Sequence, residues 1–117
     1  MKSSIAVTAL AALAQEHRLS IFRALVQAGP DGLCPTDLGA KLSVAAPTLS
    51  FHLAQLRHAG LVRVARQGRS LIYAANYPAM NALLGFLTEN CCEGDAAACG
   101  LNECRPVETK TVRKRTG

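Results

Sequence analysis

Residues 33–62, LCPTDLGAKLSVAAPTLSFHLAQLRHAGLV, decide the fold. The stretch begins as a short helix, because Pro35 suits a first helical turn and Leu38 and Leu42 form an i, i+4 apolar pair. Residues 43–45, Ser-Val-Ala, predict a tight turn before a second helical pattern begins. The stretch therefore predicts two helices that are joined by a short connection.

The second helix opens at Pro47 and stops at Gly60, which tolerates the left-handed backbone that often follows a helix. Apolar residues recur in it at i, i+4 and i+7 and must face a core: Leu49, Leu53 and Leu56. The remaining surface is polar and has no acidic residue, which suits contact with DNA. On it we predict the DNA-binding side chains Thr48, Ser50, Phe51, His52, Gln55 and Arg57. The pattern indicates a helix-turn-helix, although an ordinary helical hairpin shares it.

Directly after Gly60 the apolar pattern changes from the period of a helix to that of a strand. Residues 61–66 and 70–74 alternate as two strands around a turn at 67–69, and such a hairpin must pack on the helices to be stable. No acidic residue lies between Asp37 and Glu89. The hairpin carries three basic residues on or beside its tip: Arg63, Arg66 and Arg69. This indicates the wing of a winged helix, whose arginines would reach phosphates or the minor groove. The alternative is a solvated edge that charge protects from aggregation.

Residues 48–74, TLSFHLAQLRHAGLVRVARQGRSLIYA, resemble the signature of the arsenic-responsive ArsR/SmtB repressors. The resemblance runs over residues 10–92 and rests on the pattern S-x-H-L…L-x-x-x-G-L-V…G-R. It implies small bacterial homodimers that pair through their first and last helices and bind double-stranded operator DNA. It also implies that the DNA is released when a metal or metalloid ion binds.

The rest of residues 1–90 supports one winged helix-turn-helix domain for DNA binding and dimerisation. Further helices are predicted at residues 4–14, 16–28 and 77–90, so the fold class is mainly α with a β-hairpin wing (α+β). In the helix at 16–28 the predicted core residues are Leu19, Phe22, Leu25 and Val26. In the last helix the apolar stripe comprises Met80, Leu83, Leu84, Phe86 and Leu87. Stripes on both terminal helices exceed what a small monomer needs, so they favour a homodimer, with core packing as the alternative.

Composition excludes several other classes of protein. The chain has 117 residues, of which 50% are hydrophobic and 18% charged, as expected for one compact domain. Its net charge is +5, which favours salt-sensitive binding to DNA. No apolar run approaches the roughly 18 residues of a membrane span, and the start does not resemble a secretory signal. We expect a cytoplasmic protein that needs no organic cofactor, and no nucleophile–base pair or phosphate loop suggests an enzyme.

Residues 91–117 form a predicted cysteine-bearing and partly disordered tail, in which four cysteines stand at Cys91, Cys92, Cys99 and Cys104. Disulfides suit a secreted protein, and adjacent cysteines pair poorly. A zinc site is possible, but the usual C-x2-4-C spacing is missing. Reactive thiols without a ligand are the third alternative.

Thiolates without histidine or carboxylate partners select soft ions. Arsenite and antimonite prefer three sulfurs in a pyramid, and a vicinal pair plus one cysteine from a loop can supply them. We therefore predict a site of Cys91, Cys92 and Cys99, with Cys104 as a possible substitute.

The resemblance also identifies departures from the family pattern. Many arsenic-responsive members carry a C-x-C pair at the start of the first motif helix, where this chain has Cys34 followed by Thr36. Cys34 is therefore expected to be a small buried residue. The zinc-responsive subgroup uses histidines and carboxylates along the last helix, which here offers only Glu89. A vicinal pair after Thr-Glu-Asn resembles the subgroup of arsenite repressors that sense at the C-terminal end.

Together these features predict a homodimeric repressor of an arsenic-resistance operon, released from operator DNA by arsenite or antimonite. Three alternatives remain at this stage. One is a zinc- or cadmium-responsive repressor of the same fold, the second a metal-buffering module, and the third a DNA-binding protein without a ligand.

Overall fold

The computed structural model describes residues 1–91. These residues separate into two units, Met1–Leu83 and a segment that begins at Leu84. The elements in chain order are α1 (Ser3–Leu13), α2 (Glu16–Ala28), α3 (Pro35–Leu42), α4 (Ala46–His58), β1 (Val62–Gln67), β2 (Ser70–Ala75) and α5 (Tyr77–Leu87). The prediction of a mainly α fold with a β-hairpin wing is confirmed. Within residues 1–91, no helix has the length and hydropathy of a membrane span.

The helix-turn-helix consists of α3 and α4. Pro35 opens α3, and the helix ends at Ser43, whose φ of 56° places it in the left-handed region. The Val44 amide donates to the Gly39 carbonyl at 3.0 Å and closes the turn. The three leucines of α4 that were predicted to face a core are all buried.

The end of α4 also follows the sequence pattern. Gly60 has a φ of +82°, and the Leu61 amide reaches back to the Leu56 carbonyl at 3.0 Å. This is the 6→1 hydrogen bond of a Schellman motif, which satisfies a carbonyl at the helix end. The chain leaves this motif directly into β1, so the end of the helix fixes the start of the wing.

The wing is an antiparallel hairpin of β1 and β2. Val62 pairs with Ala75 and Gln67 with Ser70, which leaves a two-residue turn at the tip. The hairpin is fastened to the rest of the domain by a bridge between Leu33 and Tyr73, whose backbone groups exchange two hydrogen bonds of 2.9 Å. The residue before α3 therefore joins the wing.

The core forms around α2, α4 and the base of the hairpin. From the predicted core face of α2, Phe22 and Leu25 are buried. Leu19 was predicted to be in the core, which is wrong, because its side chain is 45% exposed, whereas Ile21 is fully buried. Six of the eight residues 19–26 are hydrophobic, so periodicity alone does not decide whether Leu19 or Ile21 faces the core.

The last helix is shorter than predicted. It ends at Leu87 rather than near residue 90, and Asn90 has a φ of +57°. The Thr88 hydroxyl donates to the Leu84 carbonyl at 2.9 Å, so this side chain competes for a backbone acceptor at the helix end. The left-handed backbone of Asn90, two positions after Thr88, is incompatible with continuing the helix to its predicted end.

Replacing Gly32 by alanine is expected to destabilise the fold. Gly32 has a φ of +74°, and a Cβ there would lie against the Tyr73 carbonyl carbon and oxygen. Because backbone strain and a steric clash add, we expect Gly32→Ala to lower the free energy of unfolding by about 2 kcal/mol or more. Urea denaturation measures this change.

The matched control is Gly60→Ala, whose φ is also positive but whose Cβ would meet nothing within 4 Å. It carries only the cost of the left-handed backbone, about 1–2 kcal/mol. If Gly32→Ala were no more destabilising than Gly60→Ala, the clash with the bridging strand would be disproved.

Candidate nucleic-acid interface and tail cysteines

The outer face of α4 carries most of the predicted DNA-binding side chains. These residues are exposed to solvent: Thr48, Ser50, Phe51, Gln55 and Arg57. Phe51 is the one aromatic residue among them, and its ring is 58% exposed and therefore available for contact outside the domain. Because the leucines of α4 are buried, its polar face points outward and is accessible for binding.

The three arginines of the wing are all exposed, but they do not share one face. Arg63 and Arg66 lie three positions apart on β1, so the pleat directs them to opposite sides of the hairpin. Arg63 lines a shallow groove of about 330 Å³ together with Asp31 from the loop after α2. Arg69 lies in the tip itself. Arg66 and Arg69 are therefore better placed for an external anion than Arg63, which has a carboxylate nearby.

A second groove of about 620 Å³ lies between α3, α4 and β2. Small residues of the helix-turn-helix turn line it, together with Ser50 of α4 and Leu71 of β2. The groove therefore lies between the recognition helix α4 and the wing.

His52 is the exception among the predicted DNA-binding residues. Its side chain is only 7% exposed and packs inside the protein. Nη1 of the Arg18 guanidinium lies 3.4 Å from Nδ1 of His52. The ring of His17 stacks on it with centroids 5.4 Å apart, and the Phe51 ring meets it edge-on at 5.3 Å. His52 thus has protein partners from α2 and α4.

The surroundings of His52 favour its neutral form. Burial lowers the pKa of its imidazole below the ordinary value of 6.5, and the positive charge of Arg18 and the neighbouring His17 lower that pKa further. Since Arg18 can only donate, Nδ1 of His52 has to accept. The proton of the neutral ring therefore lies on Nε2.

Sequence reasoning missed Arg18 and His17 as neighbours of α4. Both stand at the start of α2, and Arg18 precedes His52 by 34 positions. A polar cluster, Gln-Glu-His-Arg, between two apolar helical segments was the available signal. It suggests a helix start but gives no partner, because the partner belongs to another element.

The predicted metalloid site falls mostly outside the described residues. Cys92, Cys99 and Cys104 all lie beyond residue 91, and Cys91 is half-buried with its amide donating to the Thr88 carbonyl at 3.0 Å. Among residues 1–91, no group of three or more His, Cys, Asp or Glu side chains could hold a metal ion. Cys34 was expected to be buried, but it is half-exposed at the start of α3.

The lowered pKa of His52 predicts how stability depends on pH. Between the ordinary value of 6.5 and the lowered pKa, the unfolded chain binds a proton that the folded protein does not. The free energy of unfolding is therefore expected to fall as the pH is lowered from about 6.5. Urea denaturation at pH 7.5, 6.5 and 5.5 measures this trend. In His52→Asn, which keeps an acceptor oxygen but cannot titrate, the decrease should be smaller, and an equal decrease in both proteins would refute the assignment.

Comparison with known proteins places this geometry in a family. A family model described as a helix-turn-helix domain matches residues 13–65. The transcriptional activator HlyU of Vibrio cholerae is 30% identical over 93 residues, which cover 80% of this chain and 83% of that protein. The structure of HlyU from the same organism superposes with a TM-score of 0.62 at 31% identity and covers 77% of this chain and 95% of that chain.

Two further solved structures share the fold. An ArsR-like transcriptional regulator from Rhodococcus sp. RHA1 has a TM-score of 0.64 at 27% identity, over 72% of this chain and 76% of that chain. The antimony-specific transcriptional repressor AntR has a TM-score of 0.56 at 28% identity, over 76% of this chain and 80% of that chain. The chain therefore belongs to the ArsR family of winged helix-turn-helix transcriptional regulators, which bind DNA and are not enzymes.

Proposed function

We propose that this chain is a metalloid-responsive repressor that binds operator DNA as a homodimer and is released by arsenite or antimonite. The observation that carries the DNA-binding part is the exposed, acid-free face of α4 beside a basic wing. The sensing part rests on the cysteines of the tail. A cytoplasmic location follows from this role, because the thiols must stay reduced.

The charge pattern supports binding to a DNA backbone. From Leu38 to Thr88 the chain has five lysines and arginines and no acid. Arg66 and Arg69 would hold phosphates and fix the position of the wing, whereas polar side chains of α4 would meet base edges in the major groove. Phosphate contacts of this kind contribute affinity, and base contacts contribute sequence preference.

Exposed apolar side chains on the terminal helices support a homodimer. On α1, Ile5, Val7 and Leu10 are all more than 40% exposed. On α5, Leu84 and Leu87 are more than half exposed. Apolar side chains left in water on both helices favour burial against a second copy. Two copies would present two reading helices to a pseudo-palindromic site.

The chemistry of the tail supports a soft trivalent ion as the inducer. Three thiols of Cys91, Cys92 and Cys99 would condense with one arsenite, As(OH)₃, forming three As–S bonds and releasing three water molecules without any change of oxidation state. The similarity to an antimony-specific repressor is consistent with such an inducer. Release requires that the ion favours a dimer whose reading helices no longer match the DNA, with a coupling of about 1–3 kcal/mol in typical cases.

The similarity to HlyU favours a second candidate function, a transcriptional activator. A promoter–reporter assay separates the two, because deletion of a repressor raises expression whereas deletion of an activator lowers it. Addition of arsenite should mimic the deletion only for the proposed repressor.

The wing arginines are expected to contribute salt-dependent affinity. The DNA probe is a duplex that the wild-type protein enriches from a random pool. Each phosphate contact contributes about 0.9 to the slope of log K against log salt concentration, so Arg66→Gln or Arg69→Gln should reduce the slope by roughly 1.8 per dimer. Fluorescence anisotropy at several salt concentrations measures it. The control Arg23→Gln removes an exposed charge from α2 and should keep the wild-type slope, and a similar loss there would contradict a specific role for the wing.

Arsenite is expected to release the same duplex from the reduced protein. The apparent affinity should fall by a factor of about 5–150. Cys92→Ser should weaken the response strongly, because the vicinal pair is lost and the pyramid could be completed only through the more distant Cys104. The control Cys34→Ser, which alters a cysteine at the start of α3, should respond as the wild type does. Persistent DNA binding of the wild type in saturating arsenite and antimonite would rule out the sensing function but not the DNA-binding fold.

A further inference from the structure

We propose that Arg18 is a positioning residue for DNA binding, which holds His52, and through it the exposed Phe51, in the orientation that α4 presents to DNA. This inference rests on the proposed binding of operator DNA but not on the sensing of arsenite. Neither Arg18 nor its partner ring needs to touch DNA for it.

The guanidinium group of Arg18, a residue of α2, contacts both α1 and α4. Its Nε donates to the Ala12 carbonyl at 2.6 Å, which is one of the last carbonyls of α1. The backbone amide of Arg18 donates to Oε1 of Gln15, the N-cap residue of α2, at 2.9 Å. Nη1 of the same guanidinium lies 3.4 Å from Nδ1 of His52 on α4. The end of α1, the start of α2 and the middle of α4 are thus joined.

This connection adds a directional constraint in the middle of α4. The helix is held in the core by three leucines, and hydrophobic burial is not directional. Its N-cap residue, Ala45, makes no side-chain cap hydrogen bond. A hydrogen bond depends on angle as well as distance, so the contact between Arg18 and His52 restricts rotation of α4 about its axis.

The contact extends to the surface through Phe51. The Phe51 ring meets the His52 ring at an angle of 65°, which is a favourable edge-to-face geometry. Phe51 is one of the predicted DNA-binding residues and is exposed. Loss of the Arg18 contact would therefore alter the presentation of an external side chain.

The contact depends on a neutral His52. Protonation of Nδ1 would remove the acceptor and place a second positive charge beside the Arg18 guanidinium. From α2, Arg18 and His17 are the charged or titratable side chains facing the ring, and α1 between Ser3 and Leu13 has none. On α4, the other basic residues are at its C-terminal end. Acidic pH is thus expected to weaken the contact.

The test compares variants in binding to the duplex that the wild-type protein enriches from a random pool. At pH 7.5, Arg18→Gln should weaken binding about 10-fold, the effect of losing one hydrogen bond to a charged group. The slope of log K against log salt concentration should stay at the wild-type value, because no phosphate contact is lost. Arg23→Gln is the matched control on the same helix and should bind as the wild type does.

Variants of His52 test whether Arg18 acts through this ring. His52→Leu should weaken binding as much as Arg18→Gln, and the double variant should be no weaker than either single variant. His52→Asn, which places an acceptor oxygen near the position of Nδ1, should restore binding. The ratio of wild-type to His52→Asn affinity should then fall as the pH drops through the lowered pKa of His52, whereas it should not change with pH if His52 is only structural. If circular dichroism shows that His52→Leu does not fold, the salt slope of Arg18→Gln and the pH dependence of the wild-type to His52→Asn affinity ratio test the inference instead.

Three results would overturn the inference. They are unchanged binding by Arg18→Gln, a reduced salt slope that marks a direct phosphate contact, and additive losses in the double variant. If the wild-type protein enriched no duplex, the proposed operator binding would fail and this inference with it. Wild-type binding that arsenite does not affect would refute only the sensing function.

Discussion

Burial of Leu49, Leu53 and Leu56 is the constraint on which the rest of the structure depends. Each side chain is almost completely removed from water, and full burial of a leucine contributes about 1.5–3 kcal/mol. Because the three lie on one side of α4, their burial determines which side faces solvent. The polar side chains become a binding surface as a consequence. The end of α4 then leads directly into β1, so the same constraint also fixes where the wing starts.

Burial of the leucines determines which face of α4 is exposed, and the polar cluster at His52 determines how that face is oriented. Burial of leucines is not directional, whereas the hydrogen bond from Arg18 depends on angle as well as distance. The structure thus combines a strong non-directional interaction with a weak directional one. The neutral state of His52 is required for the second, and burial together with two basic neighbours favours that state. Reading DNA requires angular precision, which is where such a contact contributes.

The functional groups are divided between the domain and the tail. Residues 38–88 supply an acid-free surface, and the pleat of the wing separates its arginines, so that Arg63 lies near Asp31 while Arg66 and Arg69 remain open. The thiols occur almost entirely after α5. Membership of the ArsR family establishes the DNA-binding role, and the soft donors of the tail motivate the proposed inducer. Exposed apolar side chains on α1 and on α5 motivate the proposed homodimer.

The sequence by itself determined the order of the elements, the turn at residues 43–45, the end of α4 at Gly60 and the hairpin, because each depends on local backbone preferences and on short-range periodicity. It also determined which leucines of α4 are buried. Only the tertiary structure decided that Leu19 is exposed while Ile21 is buried, and that His52 is enclosed by Arg18 and His17. Those outcomes depend on which helix packs against which, and residues 34 positions apart carry no local signal of their contact. Periodicity locates a face, but the partner of that face is set by the packing of the whole domain.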